Sequence, residues 1–495
     1  MRFINRQSEL ATLDRFYAYH RAAMMFISGQ LRIGKTTLLS HWLRRRDVAD
    51  ALFWTVPSLD AASQLRDFSQ VLARFDPRVQ APPSGDFSFP DWRSALMRMG
   101  EIVALSRRPV LVIIDEFTRL MMTSQGVDSA FQIAWDHRLS ELPNMRLILT
   151  GSHVGIMERD VLSGRAPLFG RAVYYIRLRP LSFGTLKKML PDRSPADRVA
   201  IYAITGGIPA YLDFFARSAT FNEGLRKCLS PDSIMLADTS LRLRDEVEDP
   251  RALEAILSAI AGGAHEWDEI ASSARIRRGL GKCLMRLEDM GIVERRDSVL
   301  SPIHRKGRYY ICNPFLRFYY RCIVPHLDDI ERGKLNRAVR DIAGDLATVS
   351  ADVFEELCRE WIFIECGHGR LDLMPETVGT FWAQQRGQAT RLDLVATSRK
   401  EQGLFIATAR WNAARVGRNT LSDLVARSQV MPQVKDPGWR VQYGLFARDG
   451  FTESAVKAAR ETGARLVSLC EVEDRLVEAV ARHPTDLSNK NNLEF

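Results

Sequence analysis

The sequence contains no Cys-x-x-Cys pair, although it has seven cysteines in 495 residues. They are scattered along the chain at positions 228, 283, 312, 322, 358, 366 and 470. Structural zinc sites and disulfide frameworks both need cysteines at characteristic spacings, so neither is predicted here. This pattern favours the reducing environment of the cytoplasm.

The sequence also lacks a long apolar run. Its longest evident buried strand, Val110 to Ile114, is far too short to span a bilayer, and no apolar segment of signal-peptide length stands at the N-terminus. We therefore expect neither a membrane partner nor export. With 46% hydrophobic and 26% charged residues the composition is that of a globular protein, and the length predicts about three domains.

An excess of one charge sign is present but small. The formal net charge is +9 and the isoelectric point is near 9.3. Such an excess is compatible with an anionic partner such as nucleic acid, but it supports one only where the positive charge is concentrated. Whether this excess indicates nucleic-acid binding therefore depends on where the basic residues lie.

A glycine-rich segment follows the apolar run Ala22 to Ile27 and reads G-Q-L-R-I-G-K-T-T from Gly29 to Thr37. The run predicts a buried strand, and Lys35 to Leu43 predicts the helix after it. A glycine, four residues and then Gly-Lys-Thr is the spacing of a phosphate-binding loop, whose backbone N–H groups surround phosphate oxygens at a helix N-terminus. The alternative is a glycine-rich turn in an ordinary α/β domain, but the strand–loop–helix context favours nucleotide binding.

Individual residues of this loop have predicted roles. Gly29 and Gly34 let the backbone approach the phosphates, and Lys35 is predicted to reach the β- and γ-phosphates. The hydroxyl of Thr36 is predicted to hold Mg²⁺, and Thr37 completes the set of nucleotide-binding candidates.

Two acids end the hydrophobic strand predicted over Pro109 to Ile114. In sheets of this kind, ligands bind outside the carboxyl ends of the strands. Asp115 is therefore predicted to hold Mg²⁺ through water, and Glu116 to orient or deprotonate the attacking water. Two solvated acids at a strand end are the alternative, which the phosphate loop upstream disfavours.

Two further residues are candidates for contact with the transferred phosphoryl group. The strand Met145 to Thr150 is followed by Gly151 and Ser152, so Ser152 would lie beside the acids and could sense the γ-phosphate if the two strands are neighbours. Arg171, at the end of P-L-F-G-R, could neutralise developing charge, with a plain surface arginine as the alternative. We expect His153 to be structural.

Six segments, taken in order, resemble the archaeal and bacterial ATPases of the STAND class. They are F-I-N-R-Q-S-E-L at the start, G-Q-L-R-I-G-K-T-T, V-L-V-I-I-D-E-F, L-I-L-T-G-S, P-L-F-G-R and G-G-I-P-A-Y-L at 206 to 212. The resemblance covers residues 1 to 250 strongly and the rest more weakly. It implies an AAA-like ATPase core with a helical lid, in which Phe3 to Arg6 and Pro209 flank the adenine of ATP. It also implies a nucleotide-driven switch or scaffold and not a processive motor.

Three helices and a hairpin are predicted after Pro250, an order that is typical of a winged helix and that the family also carries here. The third helix is predicted over Arg278 to Met290. Arg278, Lys282 and Arg286 recur on a face of this helix away from its apolar stripe. DNA and an unidentified protein are both candidate partners for this basic face, and an ordinary solvated face is the remaining alternative.

The last part of the chain resembles the degenerate nuclease-like domain of this family, which belongs to the PD-(D/E)xK superfamily. There a helix Glu, a strand Asp and an E-x-K on the next strand bind Mg²⁺ and a water. Glu355 and Asp393 fill the first two places, whereas Thr408 and Arg410 stand where the acid and the lysine belong. Because a hard oxygen ligand is lost, the domain is predicted to bind without cleaving, with an active nuclease as the alternative.

The predicted architecture is α/β: a P-loop parallel sheet with a helical lid, then a winged helix and an α/β nuclease-like domain. The predicted boundaries are 1–181 for the ATPase core, 182–250 for the lid, 251–325 for the winged helix and an aromatic linker, 326–350 for a connecting helix, 351–483 for the last domain and 484–495 for a polar tail.

The predicted function is a slowly hydrolysing ATP switch or scaffold that couples nucleotide state to the binding of DNA or a protein partner. ATP and Mg²⁺ are the predicted cofactors, and a homo-oligomer is a candidate assembly. An ATP-gated DNA nuclease and a DNA-binding regulator with little ATP turnover are the alternatives. The first requires metal-dependent cleavage by the last domain, and the second requires DNA binding with little hydrolysis.

Overall fold

The computed structural model describes residues 3–46, 48, 50–81, 84–237, 250–276, 278–300, 307–385, 388–411 and 414–482. These residues form two compact units, which divide in sequence between Pro180 and Leu181. The predicted tail at 484–495, the end of the predicted lid at 238–249 and the middle of the predicted hairpin at 301–306 lie outside the described residues.

A parallel sheet of five strands forms the centre of the first unit, in the order β2-β3-β4-β1-β5. Its strands are β1 Ala23–Ser28, β2 Ala51–Thr55, β3 Val110–Asp115, β4 Met145–Gly151 and β5 Tyr174–Arg177. Every residue of β1, β3 and β4 is buried, as expected of strands that are covered on both faces. The predicted parallel sheet is confirmed.

Successive side chains of these strands enter two different cores. Met24 and Phe26 belong to one hydrophobic cluster and Met25 and Ile27 to another, because neighbouring residues of a strand point to opposite faces of the sheet. The helices of this unit are α1 Gln7–Tyr17, α2 Lys35–Arg46, α3 Ala61–Phe75, α4 Trp92–Ala104, α5 Phe117–Thr123, α6 Val127–His137 and α7 Val154–Ile156.

The strand order places three loops at one edge of the sheet. β4 pairs with both β3 and β1, and all three run parallel. The segments that follow them are the predicted phosphate loop after β1, the acid Glu116 after β3 and Ser152 after β4. The residues expected to bind and hydrolyse a nucleotide therefore leave the sheet side by side.

The second unit begins with helices of the predicted lid. They are α8 Phe183–Met189, α9 Pro195–Thr205, α10 Pro209–Ala216 and α11 Phe221–Cys228. Three helices and an antiparallel pair of strands follow, namely α12 Pro250–Ala261, α13 Trp267–Ser273, α14 Leu280–Asp289, β6 Val293–Arg296 and β7 Arg308–Ile311. These are the elements expected of a winged helix, which stays a prediction.

Two short helices, α15 Pro314–Phe318 and α16 Leu327–Glu331, are followed by a single helix of 33 residues, α17 Leu335–Gly367. The boundary predicted between 350 and 351 lies inside this helix. Its buried stripe passes through Leu346, Val349 and Val353 without interruption, at spacings of three and four residues. The expected connecting helix and the first helix of the last domain are therefore one element.

A mixed sheet forms the centre of the last domain, in the order β12-β11-β10-β9-β8. β8 to β10 pair antiparallel, whereas β10 to β12 pair parallel. The strands are β8 Thr377–Gln385, β9 Gln388–Ser398, β10 Gly403–Arg410, β11 Arg440–Ala447 and β12 Arg465–Ser468. The helices are α18 Arg418–Ser428, α19 Pro432–Lys435, α20 Glu453–Thr462 and α21 Leu469–Arg482. The predicted C-terminal α/β domain is confirmed.

One hydrophobic core of the second unit extends from the lid helices to the last sheet. It includes Phe183 of α8, Leu257 of α12, Trp361 of α17, Phe405 of β10 and Leu476 of α21. The lid helices are thus packed into the same core as the last sheet. Within the described residues, no helix combines the length and the apolar character needed to cross a bilayer.

Candidate nucleotide-binding site

The glycines of the predicted phosphate loop are required by the backbone. A Cβ on Gly29 would lie 2.7 Å from the carbonyl oxygen of Leu178, so no larger residue fits. Gly34 has a φ of +96°, in the region that favours glycine, and a Cβ there would meet no atom within 4 Å. The backbone conformation, and not a lack of space, therefore requires glycine at position 34, at the start of α2.

Lys35 lies at the centre of a polar network. Its Nζ donates to the carbonyl oxygen of Gly29 at 2.9 Å and to Ser152 Oγ at 2.6 Å, and it lies 3.7 Å from Glu116 Oε1. The Lys35 side chain is only 4% exposed. The phosphate loop and the ends of β3 and β4 thus converge on one ammonium group.

Oxygen atoms suited to Mg²⁺ lie next to this network. Thr36 Oγ1 donates to Asp115 Oδ2 at 2.7 Å, and Thr150 Oγ1 donates to Asp115 Oδ1 at 2.6 Å. Hydroxyl and carboxylate oxygens are the donors that Mg²⁺ prefers, so Thr36 and Asp115 fit the predicted ion. Thr150 was not among the sequence candidates, although a polar residue at the end of the strand before Ser152 is a usable signal.

Glu116 has a backbone conformation that non-glycine residues rarely adopt. Its φ is 65° and its ψ is 40°, where L-residues pay a steric cost. The backbone N–H donates to Thr150 Oγ1 at 3.1 Å, and Ser152 Oγ donates to Glu116 Oε1. The Thr150 hydroxyl thus holds the backbone of Glu116, and the Ser152 hydroxyl holds its carboxylate, which the sequence predicts to orient or deprotonate the attacking water.

Arg171, the candidate for charge neutralisation, is engaged elsewhere. Its Nε and Nη2 donate to the two carboxylate oxygens of Asp136 at 2.7 and 2.6 Å, and its Nη1 donates to the carbonyl oxygen of Pro167. The ion pair lowers the pKa of Asp136 and raises that of Arg171, hydrogen bonding being the largest cause. Within the described part of the chain, Arg171 forms no hydrogen bond or ion pair with the phosphate loop.

The remaining candidates lie at the ends of helices. Thr37 is exposed in the first turn of α2. Arg6 donates to the carbonyl oxygen of Arg179 at 2.7 Å and to Glu9 Oε1 at 3.1 Å. Pro209 is the first residue of α10, in the second unit. Contact of Arg6 and Pro209 with adenine stays a prediction.

The sequence of residues 3–215 matches a family described as an ATPase domain predominantly from Archaea. The matched residues contain the phosphate loop, both acids and Ser152. Residues 3–215 are thus similar in sequence to an ATPase domain. A second family, of archaeal and bacterial proteins of unknown function, matches residues 319–420 of the chain. The resemblance expected from the sequence motifs is confirmed.

Individual proteins are also similar to this chain. An uncharacterised protein of Methanocaldococcus jannaschii is 27% identical over 412 residues, which are 83% of this chain and 87% of that protein. A Walker-type ATPase of Pyrococcus abyssi has a TM-score of 0.49 at 19% identity, over 64% of this chain and 96% of that one. A STAND protein with a tetratricopeptide repeat sensor from Pyrococcus horikoshii has a TM-score of 0.30 at 14% identity, over 74% of this chain and 52% of that one.

The residues that resemble a nuclease site also come together, in the last domain of the chain. Thr408 Oγ1 donates to Asp393 Oδ2 at 2.6 Å, and Arg410 Nη1 lies 3.3 Å from the same oxygen. An arginine that the sequence reasoning missed lies between the two acids. Arg391 Nη2 donates to both oxygens of Glu355, at 3.1 and 2.8 Å, and its Nε lies 3.8 Å from Asp393 Oδ1.

This arrangement changes the electrostatics of Glu355. Burial raises the pKa of Glu355, and the charges of Arg391 and Arg359 oppose that effect. Among the described residues, no three His, Cys, Asp or Glu side chains lie where they could hold a metal ion together. A guanidinium thus neutralises the acids that a divalent cation would share. The signal for Arg391 in the sequence is its position two residues before Asp393, on the same face of a strand.

The basic face of α14 is exposed. Leu280, Leu284 and Leu287 are buried, whereas Arg278, Lys282 and Arg286 are exposed. The helix begins at Leu280 and not at Arg278 as predicted, because Gly279 has a left-handed φ of 82°. Two large apolar side chains are exposed in the same region, with Met285 at 62% and Trp267 at 45%. A Cβ on Gly281 would lie 3.1 Å from the Trp267 ring, so the ring packs over this glycine.

Proposed function

We propose that this ATPase is a switch that binds ATP with Mg²⁺ and hydrolyses it slowly. The observation that carries the proposal is the convergence of Lys35, Ser152 and Glu116, with Thr36 and Asp115 beside them. The side chains proposed to bind phosphate, to hold the ion and to activate water thus lie together at one edge of the sheet, which supports the proposal. The match of residues 3–215 to an ATPase domain supports the same activity.

The proposed roles follow from the chemistry of each group. Lys35 binds the β- and γ-phosphates, Thr36 and Asp115 provide oxygens for Mg²⁺, and Glu116 orients the attacking water and accepts its proton. Bound Mg²⁺ would neutralise phosphate charge. Ser152, which bonds both Lys35 and Glu116, is proposed to report whether the γ-phosphate is present.

Slow turnover is proposed because of the position of Arg171. Intrinsic nucleotide hydrolysis is slow where no arginine neutralises the charge that develops on the transferred group. The guanidinium of Arg171 is bound in a bidentate pair with Asp136. A slow intrinsic rate suits a protein whose nucleotide state persists long enough to be sensed by another domain.

The rival activity, an ATP-gated nuclease, has less support. Metal-assisted cleavage of a phosphodiester needs acids to hold the ion and a compact ammonium to position water. Thr408 offers one neutral oxygen, and Arg410 carries a planar guanidinium that cannot replace lysine. Arg391 also pairs with Glu355 at hydrogen-bonding distance. We therefore propose that the last domain binds without cleaving.

One assay separates the two activities. The purified full-length chain, incubated with ATP, Mg²⁺ or Mn²⁺, and supercoiled plasmid, is expected to release phosphate slowly while the plasmid stays intact. EDTA should stop phosphate release, since Thr36 and Asp115 then lack their ion. Plasmid cleavage that disappears in Asp393→Ala would show a working nuclease, and the absence of both ATP binding and phosphate release would contradict the switch.

DNA is a second candidate partner, favoured by the exposed face of α14. Arg278 and Lys282 form no ion pair with an acid among the residues that the structure describes, and exposed Trp267 and Met285 lie in the same region. Uncompensated positive charge on a helix of a three-helix unit is a suitable surface for phosphates. A protein partner is the alternative occupant.

The free thiols of all seven cysteines support the cytoplasm as the proposed compartment.

If this face binds duplex DNA, the contacts are largely to phosphates and should depend steeply on salt. Replacing Arg278, Lys282 and Arg286 with alanine should weaken binding at every sequence. It should also flatten the slope of log K against log salt by about 0.9 per phosphate contact removed. Fluorescence anisotropy over a range of salt concentrations measures both, with Arg332→Ala as a control for loss of an exposed charge. Unchanged affinity and slope would identify an ordinary solvated face.

A further inference from the structure

The last helix of the chain, α21, is bound to a lid helix by a buried ion pair. Arg198 of α9 donates from Nε and Nη2 to the two carboxylate oxygens of Glu473, at 2.5 and 2.7 Å. Both side chains are almost fully buried, at 4% and 3% exposure. Arg198 also donates to the carbonyl oxygen of Leu190, at the end of α8, at 3.1 Å. The guanidinium thus joins two lid helices to α21.

Two further contacts join the same turn of α21 to α8. Lys187 Nζ donates to Asp474 Oδ1 at 2.8 Å. A Cβ on Gly184 would lie 2.3 Å from the carbonyl oxygen of Leu476, so the backbones of α8 and α21 touch where α8 has a glycine. Close backbone approach and a directional ion pair together define one register between the two helices.

Arg475, which lies between Asp474 and Leu476, binds α17, the other helix that packs against α21. Arg475 Nε lies 3.4 Å from Oε1 of Glu365, which is fully buried near the end of α17. Arg370 donates to the same oxygen at 3.0 Å. Residues 473 to 476 therefore contact the lid on one side and the long helix α17 on the other. α17 in turn packs against the sheet of the last domain through the shared core.

A buried ion pair is an unusual way to stabilise such a junction. Removing two charges from water costs about as much as their attraction returns, and apolar residues of similar size often stabilise as well or better. What a buried bidentate pair does provide is direction, because it satisfies its partners in a single arrangement of the two helices. The position of the lid is therefore coupled to that of α21.

We propose that α21 transmits the nucleotide state of the ATPase from the lid to the last domain through the Arg198–Glu473 pair. This inference rests on the proposed binding of ATP and on the lid responding to it. Coupling of this kind is reciprocal, so a ligand of the last domain changes ATP affinity by the same factor that ATP changes affinity for that ligand.

Hydrogen exchange of the full-length chain tests the coupling. In the wild type, addition of a non-hydrolysable ATP analogue with Mg²⁺ should change the exchange rate of α21 amides, because opening of α21 then depends on the bound nucleotide. In Arg198→Met/Glu473→Met, which replaces the pair with unbranched apolar side chains, that response should be lost. Lys227→Met removes an exposed ion pair of the lid with Glu223 and should keep the response.

A second variant tests the proposal if the double variant does not fold. Glu473→Gln keeps the shape and an acceptor oxygen but removes the charge, and it should diminish the response of α21. ATP binding to the wild type without any response at α21 would overturn the coupling alone, as would a full response in the folded double variant. Failure of the wild type to bind ATP would overturn the proposed function, and the coupling with it.

Discussion

Replacing Lys35 with alanine is expected to weaken ATP binding by at least about 100-fold, or ~3 kcal/mol, which is the upper range for a charge-assisted hydrogen bond. The ammonium of Lys35 is buried and lies among the loop carbonyl of Gly29, Ser152 and Glu116. The groups described around it are carbonyl, hydroxyl and carboxylate oxygens, none of which can replace a positive charge. Isothermal titration of ATP with Mg²⁺ measures the loss.

The control for this substitution is Lys227→Ala, which removes a lysine from an exposed pair on α11. It should leave ATP affinity unchanged. Thermal unfolding of both variants shows whether each is folded. Equal ATP affinity in the wild type and folded Lys35→Ala would remove Lys35 from the site and with it the assignment of the phosphate loop.

Replacing Glu116 with glutamine should preserve ATP binding and reduce turnover by about 10² to 10⁴, the usual contribution of a general base. Glutamine keeps the length and an oxygen that can accept the Ser152 hydroxyl. It cannot accept a proton from water. Steady-state phosphate release and nucleotide titration on the same preparation separate the two effects.

Glu101→Gln is the matched control for Glu116, because Glu101 lies on α4 and is 53% exposed. Its turnover should equal that of the wild type. Undiminished phosphate release by Glu116→Gln would assign water activation to another group, and loss of ATP binding would indicate that Glu116 acts through the position of Lys35. Either result contradicts the proposed division of roles.

The phosphate loop and the two acids could be predicted because their chemistry is encoded within a few consecutive residues. Gly29 to Thr37 and the strand that ends at Asp115 each combine an element boundary with the functional side chain. The network that joins them could not be predicted to the same degree. Contact of Ser152 with Lys35 and Glu116 requires β4 to lie between β1 and β3, and strand order is a long-range property.

The pairing of arginines was the least predictable feature. The sequence offered Arg171 as a group that neutralises phosphate charge, but Asp136, 35 residues earlier, binds it in the folded chain. In the last domain, the superfamily pattern directed attention to acids and lysine. It therefore gave no reason to examine Arg391, which pairs with Glu355 36 residues away. Partners at such separations are set by packing and not by local pattern.

The continuity of the α17 helix shows a different limit. The sequence prediction places its residues in two segments, a connecting helix and the first helix of the last domain, although the apolar spacing continues through Val349 and Val353. The periodicity was the better guide. Helix length follows from an unbroken stripe and the absence of a stop signal, whereas a domain boundary is a statement about where cores end.

The shared core of the lid and the last domain determines where the chain can be divided into fragments that fold. The ATPase family match ends at residue 215 and the second match begins at 319, yet Phe183 and Leu476 belong to one core. A gene fragment cut at 215 would expose the apolar faces of α8 and α9, which would favour aggregation of its product. A cut between Pro180 and Leu181 would keep this core whole, because it separates the two compact units of the chain.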